Sequence, residues 1–285
     1  MKTLVIGESG QLARALQKAL PSAQFWGLDQ INWDNPEGVA DKVTKAAPNI
    51  IVNATAYTAV DQAQVEPQAA WAVNVEGPRI LATAASEIGA KLIHVSTDYV
   101  FDGKSETDYA DSDPTNPINV YGATKLAGEL AVAALCPDHF TIRTSWVFSD
   151  NGNNFVLTML RLAEQRDALS VVNDQIGRPT FAGDLAEAIV RVCQTNKLKP
   201  GTYHLSGGDA CSWYDFAAEI FRQALDRKLL TRVPELTAIA TSQYPTPAAR
   251  PMRSVLAPSN GLTDIMNSHP DWKAGLATVL DNLKN

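Results

Sequence analysis

The sequence of 285 residues predicts an α/β fold in which helices cover both faces of a doubly wound parallel sheet. Short apolar runs alternate with helical patterns through the first half of the chain: TLVIG, AQFWGL, NIIVNA, KLIHVS and FTIRTSW. Apolar residues are nearly continuous within these runs, which is typical of strands buried on both faces. After the first run, Leu12, Leu16 and Leu20 fall on one face of a predicted helix.

The pattern changes near Asp150, where helical stretches dominate and only LSVV and TYHLS read as strands. The Pro-rich segment SQYPTPAARP is incompatible with a helix interior or a central strand. We therefore predict a dinucleotide-binding domain over 1–149, to which strands and a helix from about 169–195 return. Residues 150–168 and 196–285 are predicted to form a smaller, interleaved C-terminal lobe that binds the substrate.

Composition limits the partners and the compartment. A net charge of -7, a pI near 5.1 and the absence of basic runs argue against nucleic acid and anionic membranes as partners. Cys136, Cys193 and Cys211 are odd in number and lack metal-binding spacing, which predicts reduced, structural thiols. The N-terminus enters the first strand without a signal peptide pattern, and no apolar run reaches membrane-spanning length, so a cytoplasmic protein is expected.

A glycine-rich turn joins the first predicted strand to the first helix. Gly7, Gly10 and Ala13 form the pattern G-x-x-G-x-x-A. Glycines at such a turn let the backbone approach a pyrophosphate, whose charge is met by the helix N-terminus. The pattern predicts a Rossmann-type dinucleotide site that also includes Gln11 and Leu12.

An acidic residue ends the second predicted strand. Asp29 lies 19 residues after Gly10, where a carboxylate would bond the adenosine ribose hydroxyls; a solvated turn acid is the alternative. No lysine or arginine lies between Lys18 and Lys42, so the 2′-phosphate of NADPH has no evident counter-cation. The sequence therefore favours NADH over NADPH, with Arg14 able to permit both.

Two residues near Asp29 are candidates for the adenine end of the cofactor. Asn32 and Trp33 fall in the loop where an adenine could stack. A tryptophan of the core or the surface is the alternative reading of Trp33.

A tyrosine and a lysine four residues apart mark the start of a later helix. At this spacing Tyr121 and Lys125 share one helix face. The pKa of a free tyrosine is about 10, so a nearby ammonium would help it act near neutral pH. None of the other six tyrosines has a lysine at this spacing. The pair follows the segment HVSTDYVFDG, which places Ser96 or Thr97 at the carboxyl end of a central strand, where ligands bind in such sheets.

These motifs carry a family resemblance. The glycine turn, STDYVFDG and YGATK resemble the extended short-chain dehydrogenase/reductases. VNATAYTAVDQAQ, NVYGATKLAGE, RTSWVF, NNFVLTMLRLA, NDQIGRPT and YPTPAARP narrow the resemblance to the dTDP-4-dehydrorhamnose reductase family, from Thr3 into the final helix. The resemblance implies NAD(P)H-dependent reduction of the 4-keto group of dTDP-4-dehydro-L-rhamnose to dTDP-L-rhamnose.

The resemblance also assigns catalytic roles. Thr97 would bond the keto oxygen, Tyr121 would donate the proton, and Lys125 would bind the nicotinamide ribose. In the same way, Ala56, Tyr57 and Thr58, which follow the third predicted strand, match positions that line the cofactor.

Three residues are expected on the substrate side. Asp98 and Trp146 match family positions that contact the sugar nucleotide, although Trp146 also reads as a core residue closing an apolar strand. Arg250, on the Pro-rich segment, could bind the diphosphate in a bidentate manner, or could be a solvated loop arginine.

The sequence departs from the family at the first helix. Some members form a dimer bridged by a divalent metal on glutamates, and Ala15 stands here at one of those positions, so such a dimer is not expected whatever the role of Glu187. We predict no metal, because the histidines lack metal-binding spacing, and either a monomer or a homodimer formed by another surface.

Two other functions remain open at this point. A related epimerase, dehydratase or reductase of sugar nucleotides would use the same scaffold. For a dehydratase, a glutamate would be needed where Tyr99 stands. A non-catalytic, dinucleotide-binding regulatory subunit of the same fold would lack the tyrosine or the lysine, and both are present.

Overall fold

The computed structural model describes residues 1–33, 35–266 and 269–284. Its strands are β1 Thr3–Ile6, β2 Gln24–Trp26, β3 Ile50–Asn53, β4 Lys91–Thr97, β5 His139–Thr144, β6 Val147–Phe148, β7 Ala168–Val172, β8 Ile176–Gly177, β9 Thr180–Phe181, β10 Gly201–His204, β11 Cys211–Ser212 and β12 Glu235–Ile239. Its helices are α1 Gln11–Ala19, α2 Pro36–Ala46, α3 Val60–Val65, α4 Pro67–Trp71, α5 Gly77–Ile88, α6 Val120–Leu135, α7 Phe155–Gln165, α8 Ala182–Gln194, α9 Trp213–Asp226, α10 Asn260–Thr263 and α11 Trp272–Lys284.

The main sheet is parallel and has the order β2-β1-β3-β4-β5-β10. The five strands predicted in the first half of the chain are its first five strands, which confirms the doubly wound fold. From β1 the chain adds β2 on one side and β3 on the other, so the strand order reverses between β1 and β3. A crevice opens at such a reversal, beyond the carboxyl ends of the strands.

Apolar side chains on the main sheet fill two cores. On β1, Val5 faces a core shared with α1 and α8, whereas Leu4 and Ile6 face a core shared with α2, α5 and α6. Burial on both faces explains why the strand sequences are continuously apolar. Leu12 and Leu16 lie in the first core, and Leu20 packs against it, as the helical pattern predicts.

The later part of the chain has a core of its own, in which α7, α9 and α11 surround Phe216 and Phe148. Two of its strands differ from the expected arrangement. The strand expected to return to the main sheet at about 169, β7, pairs with β12 in a separate sheet. Conversely β10, expected in the smaller lobe, extends the edge of the main sheet. A short apolar strand has the same sequence pattern in either sheet, so the sequence does not show which strand it pairs with.

The helix expected to return to the first domain, α8, does pack against α1. The division between 1–149 and a later lobe nevertheless stays a prediction, because the two parts interleave. All three cysteines are buried and free. In the part of the chain that the structure describes, no helix has the length and apolar character to cross a membrane.

Candidate active site

The glycine turn follows β1 at the carboxyl edge of the sheet. Gly7 has a φ of +118°, which a side chain would strain, and its N–H donates to the carbonyl of Trp26 at 2.8 Å. Gly10 is the N-cap of α1, and a Cβ added there would meet nothing within 4 Å. No side chain among the described residues caps this helix start. The amides of its first turn are therefore suited to an anion such as a pyrophosphate.

Gln11 and Leu12, both expected at the cofactor, turn their side chains elsewhere. The Gln11 amide donates to the carbonyl of Val147 at 3.4 Å and accepts from the Ser149 hydroxyl at 3.0 Å. Leu12 lies in the core. Only the backbone amides of these two residues remain suited to contact a phosphate.

The region after β2 differs from the expectation for Asp29. The strand ends at Trp26, so Asp29 lies on an exposed turn three residues further on instead of ending the strand. Trp33 is half-buried against the core, with its ring over Gly77, where an added Cβ would lie 3.2 Å from the ring. Asn32 is exposed in the same loop. Trp33 thus packs against the core, and a contact of Asn32 or Trp33 with an adenine stays a prediction.

The loop after β3, where Ala56, Tyr57 and Thr58 lie, is held by a buried asparagine. Asn74 accepts from the Tyr57 N–H at 2.8 Å and donates to the Tyr57 carbonyl at 3.2 Å and to the Thr124 hydroxyl at 3.1 Å. It belongs to a single π-helical turn, Ala72–Glu76, a feature common at functional sites. The sequence carries no recognisable signal for this role of Asn74.

Helix α6 carries the tyrosine and the lysine. Asn119 caps it by accepting from the Gly122 N–H at 2.8 Å. Gly122 lets the helix approach the end of β4, because a Cβ there would lie 2.1 Å from the Tyr99 carbonyl oxygen. Lys125 is only 1% exposed, and its ammonium donates to the carbonyl of Val95 at 2.7 Å. The expected shared face is therefore a buried one, turned toward β4.

Thr97, the last residue of β4, meets the tyrosine. Its hydroxyl lies beside the Tyr121 phenol, donates to the Asp98 carboxylate at 2.9 Å and accepts from the Tyr99 N–H at 3.2 Å. The Ser96 hydroxyl is buried and has no hydrogen-bond partner within the described ranges. Of the two candidates at this strand end, Thr97 is the one beside Tyr121.

The two titrating groups differ from the simple expectation that lysine lowers the pKa of tyrosine. Burial raises the pKa of Tyr121 to about 12, with the neighbouring Thr97 hydroxyl opposing the effect and the Asp98 charge adding to it. Burial lowers the pKa of Lys125 to about 8, and the carboxylate of Glu129 opposes that shift. Tyr121 is therefore a neutral phenol near pH 7, which is the state that a proton donor requires.

A buried polar group that sequence reasoning left without a role lies beside Lys125. His94 on β4 is bonded through Nδ1 to the Asn53 amide at 3.1 Å. Burial and the charge of Lys125 hold the pKa of His94 well below its usual range. A neutral imidazole next to the ammonium adds no second positive charge to the site.

Asp98 lies behind Thr97 instead of in the open crevice. It is 2% exposed, and it accepts from the Ser254 hydroxyl as well as from Thr97. Burial raises the pKa of Asp98 to about 6, although these hydrogen bonds oppose the shift. In this arrangement the carboxylate orients Thr97 and ties the end of β4 to the segment that follows the Pro-rich loop.

Trp146 lies at the junction with the smaller lobe. It has a φ of +49°, which is rare for an aromatic residue. Its ring stacks on Trp213 with centroids 3.5 Å apart and planes 9° apart. Gly177 packs directly against the Trp146 ring, because a Cβ added to this glycine would lie 2.6 Å from a ring atom. Both the core role and the expected substrate role are compatible with this half-buried position.

Arg250 already has a carboxylate partner. Its guanidinium forms a two-pronged ion pair with Asp61 of α3, at 2.9 and 2.8 Å, and donates to the Ala248 carbonyl at 2.7 Å. The neighbouring Ala249 carbonyl accepts from Asn119 at 2.8 Å. The Pro-rich loop is thereby attached both to α3 and to the N-cap of the catalytic helix, which the sequence does not reveal.

The two positions considered for a bridging metal lie away from the catalytic helix. Ala15 and Glu187 line a cavity of about 550 Å³ between α1 and α8, where Glu187 pairs with Arg191 at 3.3 Å. In the described part of the chain, no three residues among His, Cys, Asp and Glu are grouped so as to hold a metal ion.

Comparisons with known proteins agree with these motifs. The family model described as the RmlD substrate binding domain matches residues 1–285. A dTDP-4-dehydrorhamnose reductase of Shigella flexneri is 43% identical over 293 residues, covering 99% of this chain and 98% of that protein. A solved reductase of the same name from Clostridium acetobutylicum has 37% identity and a TM-score of 0.91, with full coverage of both chains. Another, from Bacillus anthracis in complex with NADP, has 36% identity and a TM-score of 0.91, covering 99% of this chain and all of that one.

Proposed function

Since the chain belongs to the dTDP-4-dehydrorhamnose reductase family, we propose that it reduces the 4-keto group of dTDP-4-dehydro-L-rhamnose to give dTDP-L-rhamnose. It is an oxidoreductase that uses a nicotinamide dinucleotide. The observation that carries the proposal is the meeting of Thr97, Tyr121 and Lys125 at the carboxyl edge of the sheet that also holds the glycine turn. The related epimerase and the regulatory subunit are not needed to explain any feature of the site.

The residues of the glycine turn fit a dinucleotide. The bare Gly10 and the uncapped amides of α1 would hold its pyrophosphate, and Lys125 would hold the nicotinamide ribose. When bound, the dinucleotide supplies the hydride that the reduction requires. Ala56, Tyr57 and Thr58 would line its other side, held in place by Asn74.

The proton comes from the chain itself. As C4 accepts a hydride, its oxygen becomes an alkoxide, and the neutral Tyr121 phenol donates a proton to that oxygen. Thr97 has a single O–H, which here donates to Asp98, so it contacts the substrate oxygen by rotating or after Asp98 takes up a proton. Charged Lys125 stabilises the phenolate that remains. Trp146 and Arg250 would contact the sugar nucleotide from the opposite side of the crevice.

The proposal is tested by following the oxidation of NADH and NADPH with enzymatically prepared dTDP-4-dehydro-L-rhamnose. We expect a rapid fall in absorbance, with dTDP-L-rhamnose identified by NMR as the product. The UDP analogue of the substrate serves as the comparison for the base. Bound dinucleotide without turnover of either sugar would contradict the proposal.

We expect kcat/KM to fall as the pH rises through about 8. Lys125 is charged below its pKa of about 8 and loses its proton as the pH rises through that value, so stabilisation of the phenolate is lost there. The measurement is kcat/KM from pH 6 to 10 at saturating dinucleotide. In Lys125→Arg the fall near pH 8 should disappear, because a guanidinium stays charged throughout this range. A wild-type profile that is flat up to pH 10 would contradict this role.

NADH is the preferred cofactor in our proposal, and Asp29 contributes to that preference. We expect Asp29→Ala to weaken NADH binding by about tenfold and NADPH binding less, because only the ribose of NADH keeps both hydroxyls for the carboxylate. Titration of the apoprotein with each dinucleotide measures both affinities. If the ratio of the two is unchanged in the variant, Asp29 is a solvated turn acid.

Location and assembly complete the proposal. A cytoplasmic protein is supported by the three free cysteines and by an acidic surface without basic runs. A monomer, or a homodimer without a bridging metal, is supported by Ala15, whose methyl group offers no ligand, and by the pairing of Glu187 with Arg191.

A further inference from the structure

The glycine turn carries an acidic residue whose carboxylate lies at the end of β2. Glu8 stands between Gly7 and Gly10, and a Cβ added to Gly27 would lie 2.3 Å from its Oε2 atom. Gly27 is the first residue after β2. Glycine at this position therefore leaves the space that the Glu8 carboxylate occupies.

The backbone around Glu8 is fixed from two sides. The Gly7 N–H donates to the carbonyl of Trp26 at 2.8 Å, which joins the turn to β2. The Gln17 amide of α1 donates to the Glu8 carbonyl at 3.1 Å. Both bonds fix the backbone of the turn, and the Glu8 Cβ atom lies 3.3 Å from the position of a Cβ added to Gly27. The side chain of Glu8 therefore begins beside the end of β2.

This position matters for the adenosine end of the cofactor. In a doubly wound sheet the dinucleotide runs from the N-terminus of the first helix toward the end of the second strand, where its ribose lies. NADPH differs from NADH there by a phosphate on the 2′-oxygen. A carboxylate between the helix start and the strand end would repel that phosphate and leave a ribose hydroxyl unaffected.

Two cations face the same region and oppose this repulsion. Arg14 donates to the Ser9 carbonyl at 3.2 Å, and Lys42 of α2 donates to the Gln30 carbonyl at 3.0 Å, next to Asp29. The position of Lys42 is a tertiary feature, since Lys42 lies 13 positions after Asp29 in the sequence. The acceptance of NADPH therefore depends on the balance between these cations and the nearby carboxylates.

From this geometry we infer that Glu8 is the specificity-determining residue that disfavours NADPH relative to NADH. The inference rests on the proposed function, because it requires that the glycine turn bind the dinucleotide. Glu8 acts through its charge on the 2′-phosphate, whereas Asp29 acts by accepting hydrogen bonds from the ribose. The two residues are therefore expected to give different results when they are substituted.

The test is calorimetric titration of the apoprotein with NADH and NADPH, for the wild type and for Glu8→Gln. Glutamine keeps the size of the side chain and removes its charge. We expect NADPH to bind about tenfold more tightly to the variant, with NADH within about twofold of the wild type. Glu8→Lys should reverse the preference in favour of NADPH. Glu164→Gln, which removes an equal charge from the exposed end of α7, controls for net charge and should change neither affinity.

Salt gives a second readout of the same inference. Raising the ionic strength should narrow the difference between the two dinucleotides in the wild type more than in Glu8→Gln, because only the wild type has the Glu8 charge to screen. An unchanged NADH/NADPH ratio in both Glu8 variants would overturn the inference and leave the proposed function standing. Failure of the wild type to bind either dinucleotide would overturn both.

Discussion

Replacement of Tyr121 by phenylalanine should lower kcat by about 10²–10⁴-fold while leaving the affinity for NADH close to that of the wild type. The phenol is the neutral donor beside Thr97, whereas the Lys125 ammonium is bonded to the Val95 carbonyl. The ring itself is retained, so its edge contact with Tyr99, at 5.6 Å between centroids, should also be retained. Only the transferable proton is removed.

The experiment compares turnover and NADH binding in the same preparations. Tyr203→Phe is the matched control, since it removes a phenol that donates to the Lys199 carbonyl at the edge of the main sheet, away from the catalytic helix. That control should turn over at the wild-type rate. Wild-type turnover in Tyr121→Phe as well would assign the proton to another donor and remove the central step of the mechanism.

Replacement of Arg143 by leucine should lower the free energy of unfolding by about 3–5 kcal/mol. Arg143 of β5 and Glu129 of α6 form a buried ion pair, with guanidinium-to-carboxylate distances of 2.7, 3.0 and 3.1 Å. The same guanidinium lies 3.3 Å from Nε2 of His204 on β10. Leucine would leave the Glu129 carboxylate buried without its counter-ion, and an unpaired buried charge is strongly destabilising.

Urea denaturation measures this effect. Arg222→Ala is the matched control, because Arg222 pairs with Glu219 and Asp226 on the exposed face of α9 and should cost less than about 1 kcal/mol. The double variant Glu129→Gln/Arg143→Leu should recover part of the loss, because it removes the uncompensated charge. Equal losses in Arg143→Leu and Arg222→Ala would show that the buried pair is not needed for stability.

A change at Glu129 should also reach the active site. Its carboxylate lies one helical turn after Lys125 and opposes the lowering of the lysine pKa. The ion pair between Glu129 and Arg143 thus has two effects. It stabilises the contact between α6 and β5, and it influences the charge of Lys125, which stabilises the phenolate. The double variant should accordingly show the fall in kcat/KM at a lower pH than the wild type.

The sequence by itself determined those features that depend on residues close together in the chain. Continuous apolar runs specified the buried parallel strands, because each must be covered on both faces. Gly7 and Gly10 specified the tight turn before α1, and the four-residue spacing placed Tyr121 and Lys125 on one face of α6. The family followed from the same local motifs, and the comparisons confirmed it.

The tertiary structure alone decided which distant groups meet. It paired β7 with β12 and placed β10 at the edge of the main sheet. It brought the Ser254 hydroxyl to the Asp98 carboxylate and paired Asp61 with Arg250. It also brought Lys42 to the turn beside Asp29, in a region that the sequence showed as empty of cations. The physical reason is that a side chain's charge state and partners depend on burial and on contacts between segments far apart in the chain. Local sequence patterns determine how each segment folds, but they carry no information on which distant segments come together.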